Sequence, residues 1–179
     1  MAAKIKILSA GAVKPGLVPA VAIFQRDSGY DIDIEFATAP AIRQRLSGGL
    51  APDILIAPPD VLDELAQTSK AAADCVTLGR IGVGVMVRDG APTPKIASVE
   101  EFKQSLLDAQ SIVFNQASTG IYLEKLFERL GLAAEARNKT TRYPDFSAVL
   151  EHVSKGQGNE IAFGATTVIV ENAGKGVRF

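Results

Sequence analysis

Residues 4–59 read KIKILSAGAVKPGLVPAVAIFQRDSGYDIDIEFATAPAIRQRLSGGLAPDILIAPP, and the alternation within this stretch decides the fold. Short apolar runs at Ile5–Leu8, Ile32–Phe36 and Ile54–Ala57 alternate with segments of helical periodicity. Most of the strand candidates along the chain are nearly continuous apolar runs rather than alternating ones, as expected for strands buried on both faces of the parallel sheet of an α/β protein. Each of the first two strands ends in small residues, and a helix starts there: Ser9-Ala10-Gly11-Ala12, then Thr38-Ala39-Pro40. Two helix N-termini therefore open at one edge of a parallel sheet, where open α/β folds bind ligands. The unpaired N–H groups and the dipole of each helix end favour an anion at that edge.

The pattern continues through the chain. Further strands are expected at Val76–Val87, Ser111–Phe114 and Ile161–Phe163. Pro15, Pro40 and Pro59 suit the first turns of helices, and Val18, Val21, Ala22 and Phe24 make an apolar stripe behind the first. Ser98-Val99-Glu100-Glu101 is a capping box. Ser118 or Thr119 is expected to cap a helix bearing Tyr122, Leu123, Leu126, Phe127 and Leu130, closed by Gly131. Asp145 is expected to cap a helix carrying Val149, Leu150 and Val153, stopped at Gly156. The glycine-bearing stretch from Thr77 to Val85 reads either as a bulged strand or as a crossover between lobes. The βα pattern restarts after it, which favours the crossover, with lobe 1 at residues 1–79 and lobe 2 at 80–166.

Bulk properties exclude several function classes. With 179 residues and a net charge of −1, nothing suggests a nucleic-acid partner or a polybasic membrane contact. Tryptophan is absent and aromatics are 6%, so no stacking platform for bases is expected. The single Cys75 allows no intramolecular disulfide and is expected as a small buried residue. His152 is the only histidine, so a histidine-based metal cluster is excluded, and it reads as an ordinary half-buried or surface residue. No nucleophile elbow, Walker loop or dinucleotide fingerprint opens a helix, and no metal or cofactor is expected. Met1 runs almost directly into the first strand with no apolar leader. The chain as written reads as cytoplasmic, or as periplasmic if it is a processed mature form.

What remains is a set of helix starts rich in small and hydroxyl residues: Ala10-Gly11-Ala12, Thr38-Ala39, Ser118-Thr119-Gly120 and Tyr143-Pro144-Asp145-Phe146. Any one alone reads as an ordinary cap. Two on each side of a crossover point to a cleft between lobes for a small-molecule anion, each helix end contributing roughly 0.3–1 kcal/mol. Arg43, Arg45, Lys139, Arg80 and Arg142 are candidate anchors for an organic acid, because a guanidinium matches a carboxylate bidentately. Arg142, beside the rigid Tyr143-Pro144 turn, reads equally as an anchor or a solvated charge, whereas Arg45 and Lys139 read more readily as solvated surface charges.

SAGAV (residues 9–13), ATAPAIRQRL (37–46), APDILIAPP (51–59), ASTGIYLEKLFERLGL (117–132) and GNEIAFGATT (158–167) together resemble the molybdate-binding type of periplasmic solute-binding protein. The resemblance implies the two-lobed, type 2 periplasmic-binding α/β fold, with crossover strands and hinge closure on a ligand. It places ligand contacts at Ala10–Ala12, Thr38–Ala39, Thr119–Gly120, Asp145–Phe146 and Gly164, and it implies an ABC permease as partner. The family's first-loop serine falls on Ala12, its second-loop serine on about Ala39, and its tyrosine on Gly164. Three hydroxyl donors to a tetrahedral oxyanion are thus absent, each worth about 0.5–1.5 kcal/mol. Glycine at 164 is expected to enlarge the cleft, so the expected ligand is a di- or tricarboxylate rather than molybdate. Residues 167–179 are expected to begin a return strand to lobe 1 and then stop short of the family norm, leaving a face for self-association. The fold class also resembles aconitate isomerase, a cofactor-independent enzyme, for which Tyr143 or Asp145 would be generic candidate bases. A cytoplasmic ligand sensor is a third reading.

Overall fold

Strand β1 (Lys4–Ala10) is the centre of a three-stranded parallel sheet, flanked by β2 (Asp31–Ala37) and β3 (Ile54–Ile56). The computed structural model describes residues 4–68 and 75–179. The chain divides into two compact units, Met1–Arg80 and Ile81–Phe179.

In the first unit, register places Ile7 between Ile34 and Ile54, so aliphatic side chains pair across all three strands. A 3-10 turn, Gly11–Val13, leads from β1 into α1 (Lys14–Ser28); α2 (Ala39–Ser47) and α3 (Pro59–Gln67) follow β2 and β3. Leu8, Ala39, Ile42 and Val61 form the buried core beneath α2 and α3, with Leu46, Leu55 and Leu65 packed against it. Along β2, Asp31, Asp33 and Glu35 alternate with Ile32, Ile34 and Phe36, the period of a strand with one face inward. Arg43 joins α2 to α3 by hydrogen bonds to Asp60 (2.6 Å) and Glu64 (2.8 Å). The bond to Glu64, then that to Asp60, raises the Arg43 pKa above its ordinary value, and the Glu64 carboxyl is held below its own.

The second unit holds a five-stranded mixed sheet. Its elements in chain order are β4 (Val83–Arg88), α4 (Val99–Asp108), β5 (Ser111–Asn115), α5 (Ser118–Arg129), α6 (Ala133–Lys139), β6 (Thr140–Tyr143), α7 (Phe146–Lys155), β7 (Glu160–Ala165), α8 (Thr166–Glu171) and β8 (Val177–Arg178). The sheet order is β6-β5-β7-β4-β8, with β5 parallel to β6 and β7, and β4 antiparallel to β7 and β8. Both faces are covered. Ile112 and Phe114 point into one core, where Phe127 stands edge-on to Phe114 and Phe163 at 6.2 Å between centroids. Val113 points into the other, with Met86, Val149, Val153, Ala162 and Ile169.

Several expectations need correction. The strand expected over Val76–Val87 begins only at Val83; residues 75–82 carry no regular structure, and Val76 is 84% exposed, so its apolar run has nothing to pack on. Thr167–Val170 is helical, within α8, because Ile169 is fully buried there and packing outweighs the strand preference of β-branched residues. Residues 167–179, expected to start back toward lobe 1, pack in the second unit, where Val177 and Arg178 pair with Arg88 and Val87. Cys75 is exposed rather than buried.

Candidate functional site

Parallel strands bring the helix starts to one edge of each sheet. In the first unit the carboxyl ends of β1, β2 and β3 lead into the Gly11–Val13 turn, α2 and α3. In the second, the carboxyl ends of β5, β6 and β7 lead into α5, α7 and α8.

These helix ends fall into two groups. Ala10, Thr38, Pro58, Ala117 and Ala165 are N-cap residues in extended conformation, and none supplies a side-chain acceptor to its helix. Ser118 and Thr119, expected as caps, instead occupy the first two positions of α5; the cap is Ala117, which has no acceptor to offer. Asp145 behaves differently. Its carboxylate accepts the Ala148 N–H at 3.0 Å and closes the end of α7. Asp145–Phe146 was expected among the anion donors; here a carboxylate already sits on that helix end and opposes a second negative charge.

The α5 start is held by tight contacts. The Asn115 side-chain oxygen accepts the Ala117 N–H at 3.1 Å, and the Gln116 N–H donates to the Tyr143 carbonyl at 2.8 Å. Gly120 is buried where a Cβ would collide with the Asn115 carbonyl oxygen, so only glycine lets the helix sit on the strand end. In the first unit, Ser9 is fully buried and its hydroxyl donates to the Ala10 carbonyl at 3.2 Å. Ala12 follows within the Gly11–Val13 turn.

Gly164 does not open space. A Cβ there would run into the Phe146 ring, and the same face carries Ile169, so the room expected from the missing tyrosine is filled by phenylalanine. Phe146 packs against the core under α7, and its side chain is a core group.

Most of the expected cationic anchors are engaged. Arg43 holds two carboxylates, and Arg45 pairs with Glu35 at 2.8 Å. Arg142 pairs with Glu124 at 2.5 Å and lies 5.5 Å from the Phe114 ring centroid, though its Nε is buried without a partner. Lys139 donates to the Leu107 and Ala109 carbonyls, closing the end of α4. Lys14, absent from the sequence-derived candidates, starts α1 with its ammonium 5.6 Å from the Phe36 ring centroid.

His152 is more connected than its sequence context indicated. The Tyr143 hydroxyl and His152 Nδ1 form a 2.7 Å hydrogen bond, and His152 Nε2 lies 3.8 Å from Glu160. A phenol donating to Nδ1 puts the imidazole proton on Nε2, facing the carboxylate. Among the described residues no group of three or more His, Cys, Asp or Glu side chains is placed to hold a metal ion, and no helix is long and apolar enough to cross a membrane.

Comparison with known proteins adds the lineage. An aconitate isomerase from a Pseudomonas species is 30% identical over 145 residues, covering 77% of this chain and 55% of that enzyme, so the chain spans little more than half its length. Among solved structures, a tungstate ABC transporter protein from Geobacter sulfurreducens superposes with a TM-score of 0.75 at 11% identity, covering 97% of this chain and 76% of the other. The periplasmic molybdate-binding protein of Azotobacter vinelandii gives 0.72 at 13% identity, covering 90% and 71%. At such identities these likenesses speak for the fold: the two-lobed periplasmic-binding architecture. The family model described as bacterial extracellular solute-binding protein matches residues 5–179, nearly the whole of the described chain, and this chain belongs to that family.

Proposed function

We propose that this protein binds a small organic anion, a di- or tricarboxylate, at its uncapped helix starts, as the binding component of an ABC-type importer. The observation that carries the reading is the withheld cap: Thr38 and Ala117 leave the starts of α2 and α5 without a side-chain acceptor at the edges where α/β sheets take ligands. Family membership supports a solute-binding role, and the tungstate- and molybdate-binding neighbours support an anion as the solute. Alanine at positions 12 and 39 offers no hydroxyl to a tetrahedral oxyanion, which favours a carboxylate whose oxygens are met by backbone N–H groups. Isothermal titration with citrate, trans-aconitate and molybdate tests it. Binding of a polycarboxylate with no heat from molybdate is expected; tight molybdate binding alone would overturn the carboxylate assignment.

The sequence identity to an aconitate isomerase favours a second reading, in which the bound tricarboxylate is also isomerised by a proton shift. A proton NMR time course with excess trans-aconitate separates the two. New cis-aconitate signals would make the chain an isomerase, whereas line broadening alone would leave it a binding protein.

A further inference from the structure

We infer that the Asn115 carboxamide is a specificity-determining donor of the second unit, its NH2 group meeting a carboxylate of the ligand beside the start of α5; this rests on the polycarboxylate reading above. Asn115 is the last residue of β5 and only 9% exposed, a polar side chain more than nine-tenths buried. A buried amide costs free energy unless both of its ends find partners. One end is engaged: Oδ1 accepts the Ala117 N–H at 3.1 Å. Because that N–H needs an acceptor, the bond fixes which end of the amide is oxygen. The NH2 end has no acceptor among the described residues, yet it is not sealed in the interior. A donor pair is therefore held on a buried side chain and opens at the carboxyl end of β5.

The surroundings suit an anion at that point. The backbone amides of Ser118, Thr119 and Gly120 precede the first internal bond of α5, which runs from the Ile121 N–H to the Ala117 carbonyl. The first turn of the helix holds no acidic residue. Gly120 lets this helix start close on Asn115, since a Cβ there would collide with the Asn115 carbonyl oxygen. The carboxamide and the helix amides thus share the short segment 115–120. The residue type is informative too. Aspartate at 115 would accept the same Ala117 N–H and add a favourable charge at the helix start, as Asp145 does at α7. An amide forgoes that stabilisation, and a local choice against stability marks a functional position. What the amide has and the acid lacks is the NH2 group, a donor that a carboxylate oxygen accepts and that carries no charge of its own. It supplies in the second unit a side-chain donor of the kind that alanine at positions 12 and 39 does not.

Asn115→Asp is the discriminating variant, because it keeps Oδ1 and the shape of the side chain and exchanges only the NH2 for oxygen. Citrate and trans-aconitate are titrated into wild type and variant at low and raised salt, with thermal melts of each chain without ligand. The variant is expected to melt no lower than wild type and to bind both acids about tenfold or more weakly, the scale of a charge-assisted hydrogen bond. The loss should persist at raised salt, which screens repulsion at a distance but restores no donor. In the wild type, the side-chain NH2 resonances of Asn115 should shift as citrate saturates the protein. Equal affinities, or NH2 resonances that stay in place at saturation, would overturn the role of Asn115 and leave the polycarboxylate reading standing. A wild-type chain that binds molybdate and neither acid would overturn that reading, and this inference with it.

Discussion

The starts of α5 and α7 lie at the same edge of the same sheet, and the chain treats them in opposite ways. At α7, Asp145 places its own carboxylate on the helix end; at α5, Ala117 leaves that end without a side-chain acceptor. Both residues have extended backbone, so the difference lies in the side chain alone. α4 behaves as α7 does: Ser98 accepts the Glu101 N–H at 3.1 Å, and the Glu101 carboxylate reaches back to the Ala97 N–H. A capped helix end is satisfied internally and contributes stability; an end without a cap keeps donors for a ligand. The comparison separates the start of α5 from that of α7, and it sets the Asp145 carboxylate against the donor role expected for Asp145–Phe146.

The comparison breaks most severely at its tightest contact. Gly120→Ala drives a methyl group into the Asn115 carbonyl, and the α5 start must lift from β5. A loss of about 3 kcal/mol or more is expected in urea denaturation, with anion binding lost as well. Asp145→Ala is the converse experiment. It should cost about 1 kcal/mol of stability through the lost cap, while citrate affinity holds or rises; a fall in affinity would return Asp145 to the site. Tyr143→Phe removes the hydrogen bond to His152 and is expected to cost about 1 kcal/mol, read in the same denaturation experiment.

Much of this architecture was legible in the sequence because the relevant signals are local. The apolar runs of β1, β2 and β5 stand out against their neighbours, and Ser98 and Asp145 cap as their spacing indicated. What escaped depends on tertiary context. β6 is four half-buried residues, Thr140–Tyr143, and has no apolar run to announce it. α8 is a β-branched segment made helical by the burial of Ile169. The space over Gly164 was misjudged because sequence cannot show that Phe146 fills it.

The smallest effect concerns a contact outside both groups of helix ends. Because Glu64 is held below its ordinary value of 4.5 by Arg43, the α2–α3 contact contributes stability above that pH and loses it as pH falls through the lowered value. Arg43→Met should flatten that acid-side slope in denaturation midpoints measured from neutral pH downward. Citrate binding at neutral pH should be unchanged, since Arg43 is already engaged by Asp60 and Glu64.

The central claim is that helix ends without caps are the anion-binding ones, and it is tested most directly by supplying the missing caps. Ala117 and Thr38 already have the extended backbone that an N-cap aspartate needs. Ala117→Asp and Thr38→Asp, each melted without ligand and titrated with citrate, are predicted to gain about 0.5–1 kcal/mol of stability and to lose citrate affinity about tenfold. Stabilised variants that bind citrate as tightly as wild type would contradict the account.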